Sequence, residues 1–384
     1  ARPSSGAAGT GPQEFKPDPE VARFAVMRPR PVTLPELLSC LEPWRAAKFI
    51  QNEMPVRFAE RIRVIEGIRH WRAIPELVEV HEIHMRAFRL LLGVKRDMGL
   101  REFTEAIDGI VREQKEVVPK MALGMRGLRK MDPTYARRAF IDQLLDGFLL
   151  NRLGCNVLMS QYLALHGLEP LPIQKGASSR RGIVDLDCNV REVCEVAARD
   201  AQSICEDHTG WRPVVRIEAH SAVGKDQGMP KMAYIPAALR YIMVELLKNS
   251  CRATVEAARD SGPGIDFDVA LRGRPISIVV CADEHNMAIC LSDQAKGIPF
   301  EVGSHVWSYL YSTATKAGGQ TQATELAGFG VGLPLSRLFA RYLGGSLDLI
   351  SLPGYGTHAY LWLPRLLSEQ VEVVPDAEAP GPAY

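Results

Sequence analysis

From Leu34 to His166 apolar residues return every three to four positions, the spacing of helices that each bury one face. Pro35 to Ile68 predicts one or two helices, with Pro55 inside as the site of a kink. Pro75 to Val94 predicts a second amphipathic helix, along which Leu77, Val80, Ile83, Phe88 and Leu91 recur. Arg101 to Met131 predicts a third, kinked near Pro119. Asp132 and Pro133 then supply an N-cap and a first-turn proline for a fourth, Thr134 to Leu165. Helices joined by short connections predict an antiparallel four-helix bundle over residues 34–167.

Past Gly167 the pattern alternates between strand and helix. Ile183–Leu186 and Val214–Ala219 read as strands flanking a helix from Val190 to Asp207. Pro236–Ala258 predicts a long helix with its proline in the first turn. Ile276–Ala282 and Met287–Ser292 predict a hairpin across Asp283–Asn286, and a helix Leu333–Tyr342 precedes strands Ser346–Ser351 and Thr357–Leu363. The expected fold is α+β: a four-helix bundle followed, over residues 168–366, by an α/β sandwich with a mixed sheet. Residues 1–33, rich in Pro and Gly, predict a flexible arm, and the acidic, Pro-containing 367–384 a mobile tail.

Composition narrows the function classes. The 384 residues are 46% hydrophobic and 24% charged, with a net charge of +1, so no global basic field points to nucleic acid. No apolar run approaches the ~18 residues of a membrane span. The eight cysteines include no C-x-x-C pair and read as buried thiols in a reducing compartment, Cys281 and Cys290 among them. The start at Ala1, in an Ala-, Ser- and Gly-rich segment, fits a processed or truncated terminus.

Three segments carry candidate chemistry. In the helix predicted from Pro236, Glu245, Asn249 and Arg252 fall at i, i+4 and i+7 and share one face. An amide oxygen suits a magnesium ion that also holds phosphates, and a carboxylate one turn away can accept a proton from a hydroxyl. Asp293 leaves the end of a strand ahead of Gly297, where it can accept a hydrogen bond from the exocyclic amine of adenine. Gly328-Phe329-Gly330-Val331-Gly332-Leu333 opens a helix, and its unshielded N–H groups and helix-end charge suit phosphates. The intervening stretch from Tyr311 to Glu325, which includes Ser312 and Thr313, could close as a lid. Gly354-Tyr355-Gly356-Thr357 then enters the last strand, as a hairpin turn or as an adjunct to the pocket. Each feature alone has an ordinary explanation in a solvated helix face, a loop or a turn. Their order along one chain is much rarer.

That order resembles the nucleotide-binding GHKL (Bergerat-type) fold of type II topoisomerases, the large heat-shock chaperone, mismatch-repair proteins and sensor histidine kinases. Within it the chain looks like the mitochondrial 2-oxo acid dehydrogenase kinases, specific for pyruvate dehydrogenase or the branched-chain complex. The resemblance rests on Glu53-Met54-Pro55-Val56-Arg57-Phe58-Ala59, Val80-His81-Glu82 with Arg86-Ala87-Phe88, and Val117-Val118-Pro119-Lys120-Met121-Ala122. Asn151-Arg152-Leu153, Glu245-Leu246-Leu247-Lys248-Asn249 with Arg252-Ala253-Thr254, Tyr311-Ser312-Thr313-Ala314, and Gly328 through Arg337 complete it. It implies an ATP- and Mg2+-dependent protein-serine kinase of the mitochondrial matrix. Glu245 would be its general base and Asn249 its Mg2+ ligand; Asp293 would bind adenine, with Gly297, Arg252 and Thr357 as further nucleotide contacts. Ser312, Thr313 and the loop from Gly328 to Leu333 would handle the phosphates. The implied partners are the decarboxylase component and the lipoyl-bearing core of a 2-oxo acid dehydrogenase complex, with a second copy of the chain as a homodimer. A K+ ion near the lid is left open.

The chain departs from the family pattern in places. Ala295 and Lys296 stand where glycines follow the adenine-binding Asp. A positive φ at either would cost on the order of 1–2 kcal/mol, so a weakly nucleotide-binding scaffold of the same complex is the alternative of another class. Tyr241, one turn before Glu245, and the segment Val80 to Phe88 lean to the branched-chain kinase. Tyr309–Ala314 and Ser336–Tyr342 lean to the pyruvate enzymes, which are narrowly preferred. A two-component histidine kinase needs an acceptor His within the bundle, and Thr134–Leu165 carries none. His81 and His84, at i and i+3, read as packing or surface histidines.

Overall fold

The computed structural model describes residues 16–39, 42–94, 99–165, 179–224, 229–262, 266–311, 329–365 and 372. Its amino-terminal half is helical: α1 (Pro19–Ala25), α2 (Leu34–Ser39), α3 (Pro43–Glu66), α4 (Pro75–Gly93), α5 (Leu100–Glu113), α6 (Val117–Met131) and α7 (Arg138–Leu165). α3 packs on α4 and α7, α4 on α6, and α5 on α7, which gives the bundle. α3 continues through Pro55. The third predicted helix is instead two, because a 3-10 turn at Gln114–Glu116 separates α5 from α6. Pro119 thereby falls in the first turn of α6, where its missing N–H costs no helical bond. Asp132 caps the 3-10 turn Pro133–Ala136, accepting from the Thr134 N–H at 2.9 Å, rather than α7 itself.

One expectation about the ends needs correction, and the other end shows one point of contact. The predicted flexible arm contains α1, which packs on α3 with Val21 fully buried and Phe24 edge-on to Phe88 at 5.6 Å. Seven residues are too few for a periodicity to stand out, yet one apolar face is enough to dock them. In the predicted mobile tail, Glu372 is the one described residue, and its side chain is buried. Its carboxylate pairs with Arg57 at 2.5 Å and accepts from the Val32 N–H, while Arg57 also binds Glu53 at 2.9 Å. A buried guanidinium needs such partners, since an unpaired charge there would be costly. The other tail residues lie outside the described ones. His84 is buried between Phe58 and Phe148, and His81 stacks on Trp71, so both are packing histidines.

The carboxy-terminal half opens with β1 (Arg180–Arg181), β2 (Val184–Asn189), α8 (Val190–Thr209), β3 (Val215–Ser221) and β4 (Lys231–Tyr234). α9 (Pro236–Arg259), α10 (Phe267–Arg272), β5 (Ile276–Ala282) and β6 (Asn286–Asp293) follow. α11 (Phe300–Gly303), α12 (Gly332–Tyr342), β7 (Ser346–Leu352) and β8 (Gly356–Pro364) complete the chain order. The main sheet has five strands in the order β3-β5-β6-β8-β7, parallel between β3 and β5 and antiparallel elsewhere. β1, β2 and β4 form a smaller sheet. Asp283 holds the β5–β6 turn by accepting from the His285 and Asn286 N–H groups, an Asx turn at the predicted place.

α8, α9 and α12 lie side by side on one face of the main sheet. Their apolar faces bury Ile278, Val280, Ile289, Leu291, Ala359 and Leu361 of the strands. The other sheet face carries the alternate residues, so Cys281 is exposed and Cys290 half-buried, not buried as expected. An apolar run does not say whether its second face is covered. α9 is the axis of the half. Leu239, Ile242, Met243, Leu246 and Leu247 are buried, whereas Glu245 and Asn249 remain half-buried. α12 also packs on α7 of the bundle, so the two halves meet along it.

Candidate active site

Glu245 stands on α9 with one carboxylate oxygen in an ion pair and the other beside the start of α12. Oε1 accepts from the Lys248 ammonium at 3.0 Å, one turn along the same helix. Oε2 lies against Gly332, so close that a Cβ built there would sit 2.3 Å away. The first residue of α12 therefore meets the predicted base. Asn249 follows one turn on, half-buried, and Arg252 pairs with Glu256 of the same helix at 3.7 Å. Tyr241, one turn before Glu245, is tilted onto the Phe339 ring of α12 at 4.8 Å. Burial and the nearby Glu245 charge push its phenol well above the usual range, so it stays protonated.

Asp293 ends β6 and is 5% exposed. Its Oδ2 accepts from the Ser250 hydroxyl of α9 at 2.7 Å; Oδ1 accepts from the Ala295 and Thr357 N–H groups at 3.1 and 3.3 Å. Burial pushes this carboxyl up, against the opposing pull of those donors. Thr357 thus contributes its backbone here, while its hydroxyl meets that of Ser351 at 3.0 Å. Gly356 gives Asp293 room, since a Cβ there would fall 2.0 Å from the Asp293 carbonyl oxygen. Gly297 has φ +70° and packs on the Leu352 carbonyl. Of the two non-glycine departures only Lys296 adopts a positive φ, at +66°. Its ammonium turns to Asp260, 3.3 Å away at the end of α9.

In the glycine run each residue has its own reason. Gly330 has φ +73°, and a Cβ would lie 2.6 Å from the Tyr311 carbonyl oxygen. Its own carbonyl accepts from the Leu310 N–H at 2.8 Å. The Phe329 carbonyl accepts from Arg126 of α6 at 2.8 Å, and Phe329 and Val331 pack on the bundle core. Leu333 packs on the core shared by the sheet and its helices. The segment before the predicted lid is anchored by Tyr309, whose N–H reaches Asp142 at 2.8 Å and whose hydroxyl reaches Asp146 at 2.7 Å, both on α7. Ser312, Thr313, Gly328 and the lid, with the K+ expectation attached to it, lie outside the described residues.

The structure thus joins Glu245 to the start of α12, and Asp293 to Thr357, with α9 beneath both. Five residues, and about 7.5 Å of helix rise, separate Glu245 from Ser250. Residues 235–367 match the family described as Histidine kinase-, DNA gyrase B-, and HSP90-like ATPase, and residues 32–185 match Mitochondrial branched-chain alpha-ketoacid dehydrogenase kinase. The chain is 30% identical to pyruvate dehydrogenase (acetyl-transferring) kinase isozyme 4 of Ictidomys tridecemlineatus, over 93% of this chain and 86% of that protein. It is 29% identical to isozyme 1 of Rattus norvegicus, over 97% and 86% of the two chains. A kinase of Arabidopsis thaliana with the same activity in its name is 32% identical, over 85% and 86%. The chain belongs to the mitochondrial 2-oxo acid dehydrogenase kinases. It is a kinase with a GHKL-type domain that binds ATP, carried behind a helical domain.

Lys248 and Ser250 of this kinase, both on α9, gain their partners only in the fold. Ser250 had a signal of its own: a small hydroxyl in a helix interior, on the side where its neighbours Leu246, Leu247 and Cys251 are buried, needs a partner. Arg126, Asp142 and Asp146 carried none, because their partners are remote in the chain. The backbone angles make the two departures separable. Lys296→Gly should raise stability by about 1 kcal/mol by removing left-handed strain, whereas Ala295→Gly should lower it by about 0.5–1 kcal/mol through chain entropy. Urea unfolding of both variants checks this; equal effects would show that φ at Lys296 is not the source.

Proposed function

We propose that this kinase transfers the γ-phosphate of ATP to a serine of the decarboxylase component of a 2-oxo acid dehydrogenase complex, pyruvate dehydrogenase in preference to the branched-chain enzyme. The observation that carries the catalytic part is the meeting of Glu245 with the amino-terminal end of α12. There the predicted base and the phosphate-facing helix end share one spot. Glu245 would take the proton of the serine hydroxyl as its oxygen bonds to phosphorus. Asp293, at the other end of α9's polar line, would accept from the adenine amine. The start of α12 and the glycine run would offer N–H groups and helix-end charge to the phosphates. Such transfer depends on positioning and charge neutralisation, and a few well-held groups suffice.

Mg2+ fits the residues present. Asn249 offers a half-exposed hard oxygen beside Glu245, and a magnesium ion needs few protein ligands when phosphates and water supply the rest. When bound it would neutralise phosphate charge. Asn249 would hold it, and Arg252 would add positive charge at the same face. The relatives' names favour pyruvate dehydrogenase as substrate, and the match of residues 32–185 is to a branched-chain kinase. The preference for pyruvate therefore rests on the whole-chain relatives.

Docking on the lipoyl-bearing core is supported by a mainly apolar cavity of about 220 Å³ between α2, α3 and α7, walled by Leu37, Phe49 and Leu158 among others, with Arg30, Glu36 and Gln161 also in its lining. A slender aliphatic group such as a lipoyl arm suits those walls. The homodimer reading is supported by the uncovered sheet face, where Ile350, Leu352 and Trp362 are 54%, 52% and 50% exposed.

Incubation with ATP, Mg2+ and each purified decarboxylase should label the pyruvate enzyme on serine. Label on neither, from protein that still binds the core, would favour a scaffold. Glu245→Gln should lower turnover by about 10²–10⁴-fold with little change in ATP affinity; undiminished turnover removes the base assignment. Asp293→Asn should relax discrimination against GTP, because an amide can donate to the guanine oxygen where a carboxylate repels it; unchanged selectivity in competition binding would sink the adenine role. For the dimer, sedimentation should give twice the 42.4 kDa chain mass, and Trp362→Asp the mass of a single chain. A monomeric wild type would end that reading.

A further inference from the structure

Glu245 is met from two sides, by Lys248, to which the family resemblance assigns no role of its own, and by Gly332 of the glycine run. Lys248 lies three residues on along α9, with its ammonium 3.0 Å from Oε1. The two side chains are only 12% and 20% exposed, so the pair is screened less than a surface pair. On the other side Oε2 occupies the space in which any side chain at position 332 would stand, 2.3 Å from the Cβ site. Gly332 is absent from the positive-φ residues and is the first residue of an eleven-residue helix. Its backbone would accept any residue. A side chain there would instead displace the Glu245 carboxylate from its place.

We propose that Lys248 is the positioning residue of the Glu245 base: its ammonium and the side-chain-free Gly332 together fix the carboxylate against the start of α12. The inference rests on Glu245 as the base. In the transfer step the serine hydroxyl proton passes to the Glu245 carboxylate and the serine oxygen bonds to the γ-phosphorus. The bond from that phosphorus to the β-bridging oxygen breaks, and ADP leaves with the electron pair. Lys248 gives and takes no proton in this scheme. A flexible glutamate would sample several rotamers; tethering one oxygen and walling the other by a helix end leaves one. Misplacement of a reacting group by about 1 Å can cost about 100-fold in rate.

The test compares wild type with Lys248→Met, Lys248→Gln, Lys248→Arg, Gly332→Ala and the double variant Lys248→Met with Glu245→Gln. Turnover is read beside ATP affinity, measured directly by calorimetry, and the thermal midpoint. Lys248→Met and Lys248→Gln should lose about 10- to 100-fold in kcat, while the dissociation constant for ATP stays within about threefold. Lys248→Arg should recover most of the loss, and Gly332→Ala should reproduce it in a folded protein. In the Glu245→Gln background Lys248→Met should cost nothing further, because its partner is already gone. The proposal is overturned if both neutral variants keep full kcat. It is overturned equally if they act through a rise of about tenfold or more in the dissociation constant, which would make Lys248 a phosphate ligand, or if they slow Glu245→Gln further. Full turnover in Glu245→Gln alone would remove the base itself, a result separate from any on Lys248.

Discussion

The close approach of α9 and α12 at Glu245 and Gly332 is the constraint on which the site depends. Here a carboxylate of α9 meets the first residue of α12, the helix that follows the glycine run. The contact needs α12 to begin with a glycine. It also needs the sheet to bring β7 and β8 under α12 so that the helix lands beside α9. The apolar packing of both helices on the strands supplies the energy, each fully buried Leu or Ile contributing about 1.5–3 kcal/mol. Polar placement follows from that packing.

The site is not the property of the ATP-binding half alone. Arg126 of α6 holds the Phe329 carbonyl, and Asp142 and Asp146 of α7 hold Tyr309. Both ends of the segment that precedes α12 are thus pinned to the bundle. Glu372 returns to Arg57 on α3 from the far end of the chain. A change in the bundle has a direct mechanical route to the glycine run, through hydrogen bonds and the packing of α12 on α7 rather than through the sheet.

The departures at Ala295 and Lys296 weigh less than the bare sequence suggests. Ala295 has an ordinary backbone and donates its N–H to Asp293, so a glycine there would add only chain entropy. Lys296 carries the left-handed strain, yet its charge is directed to Asp260. The surroundings of Asp293 are instead set by Ser250 and Thr357, which donate to its carboxylate, and by Gly356, which leaves room for its backbone.

The order of elements, the bundle, the mixed sheet and the succession of Glu245, Asn249, Asp293 and the glycine run were legible from spacing and from resemblance. Local physics writes these directly: apolar period, proline position and glycine placement act within a few residues. Helix α1 was not, because seven residues with one apolar face show no period. Nor were the outward turn of Cys281, the capture of Glu372, the Ser250–Asp293 bond or the holding of Glu245 by Lys248 and Gly332. Each depends on which surface faces which across the fold, at separations of up to hundreds of residues. Residue type and spacing along the chain mark the groups able to do the chemistry. Which of them touch is set by the folded packing, because close packing selects the one arrangement in which those buried faces and polar partners are satisfied together.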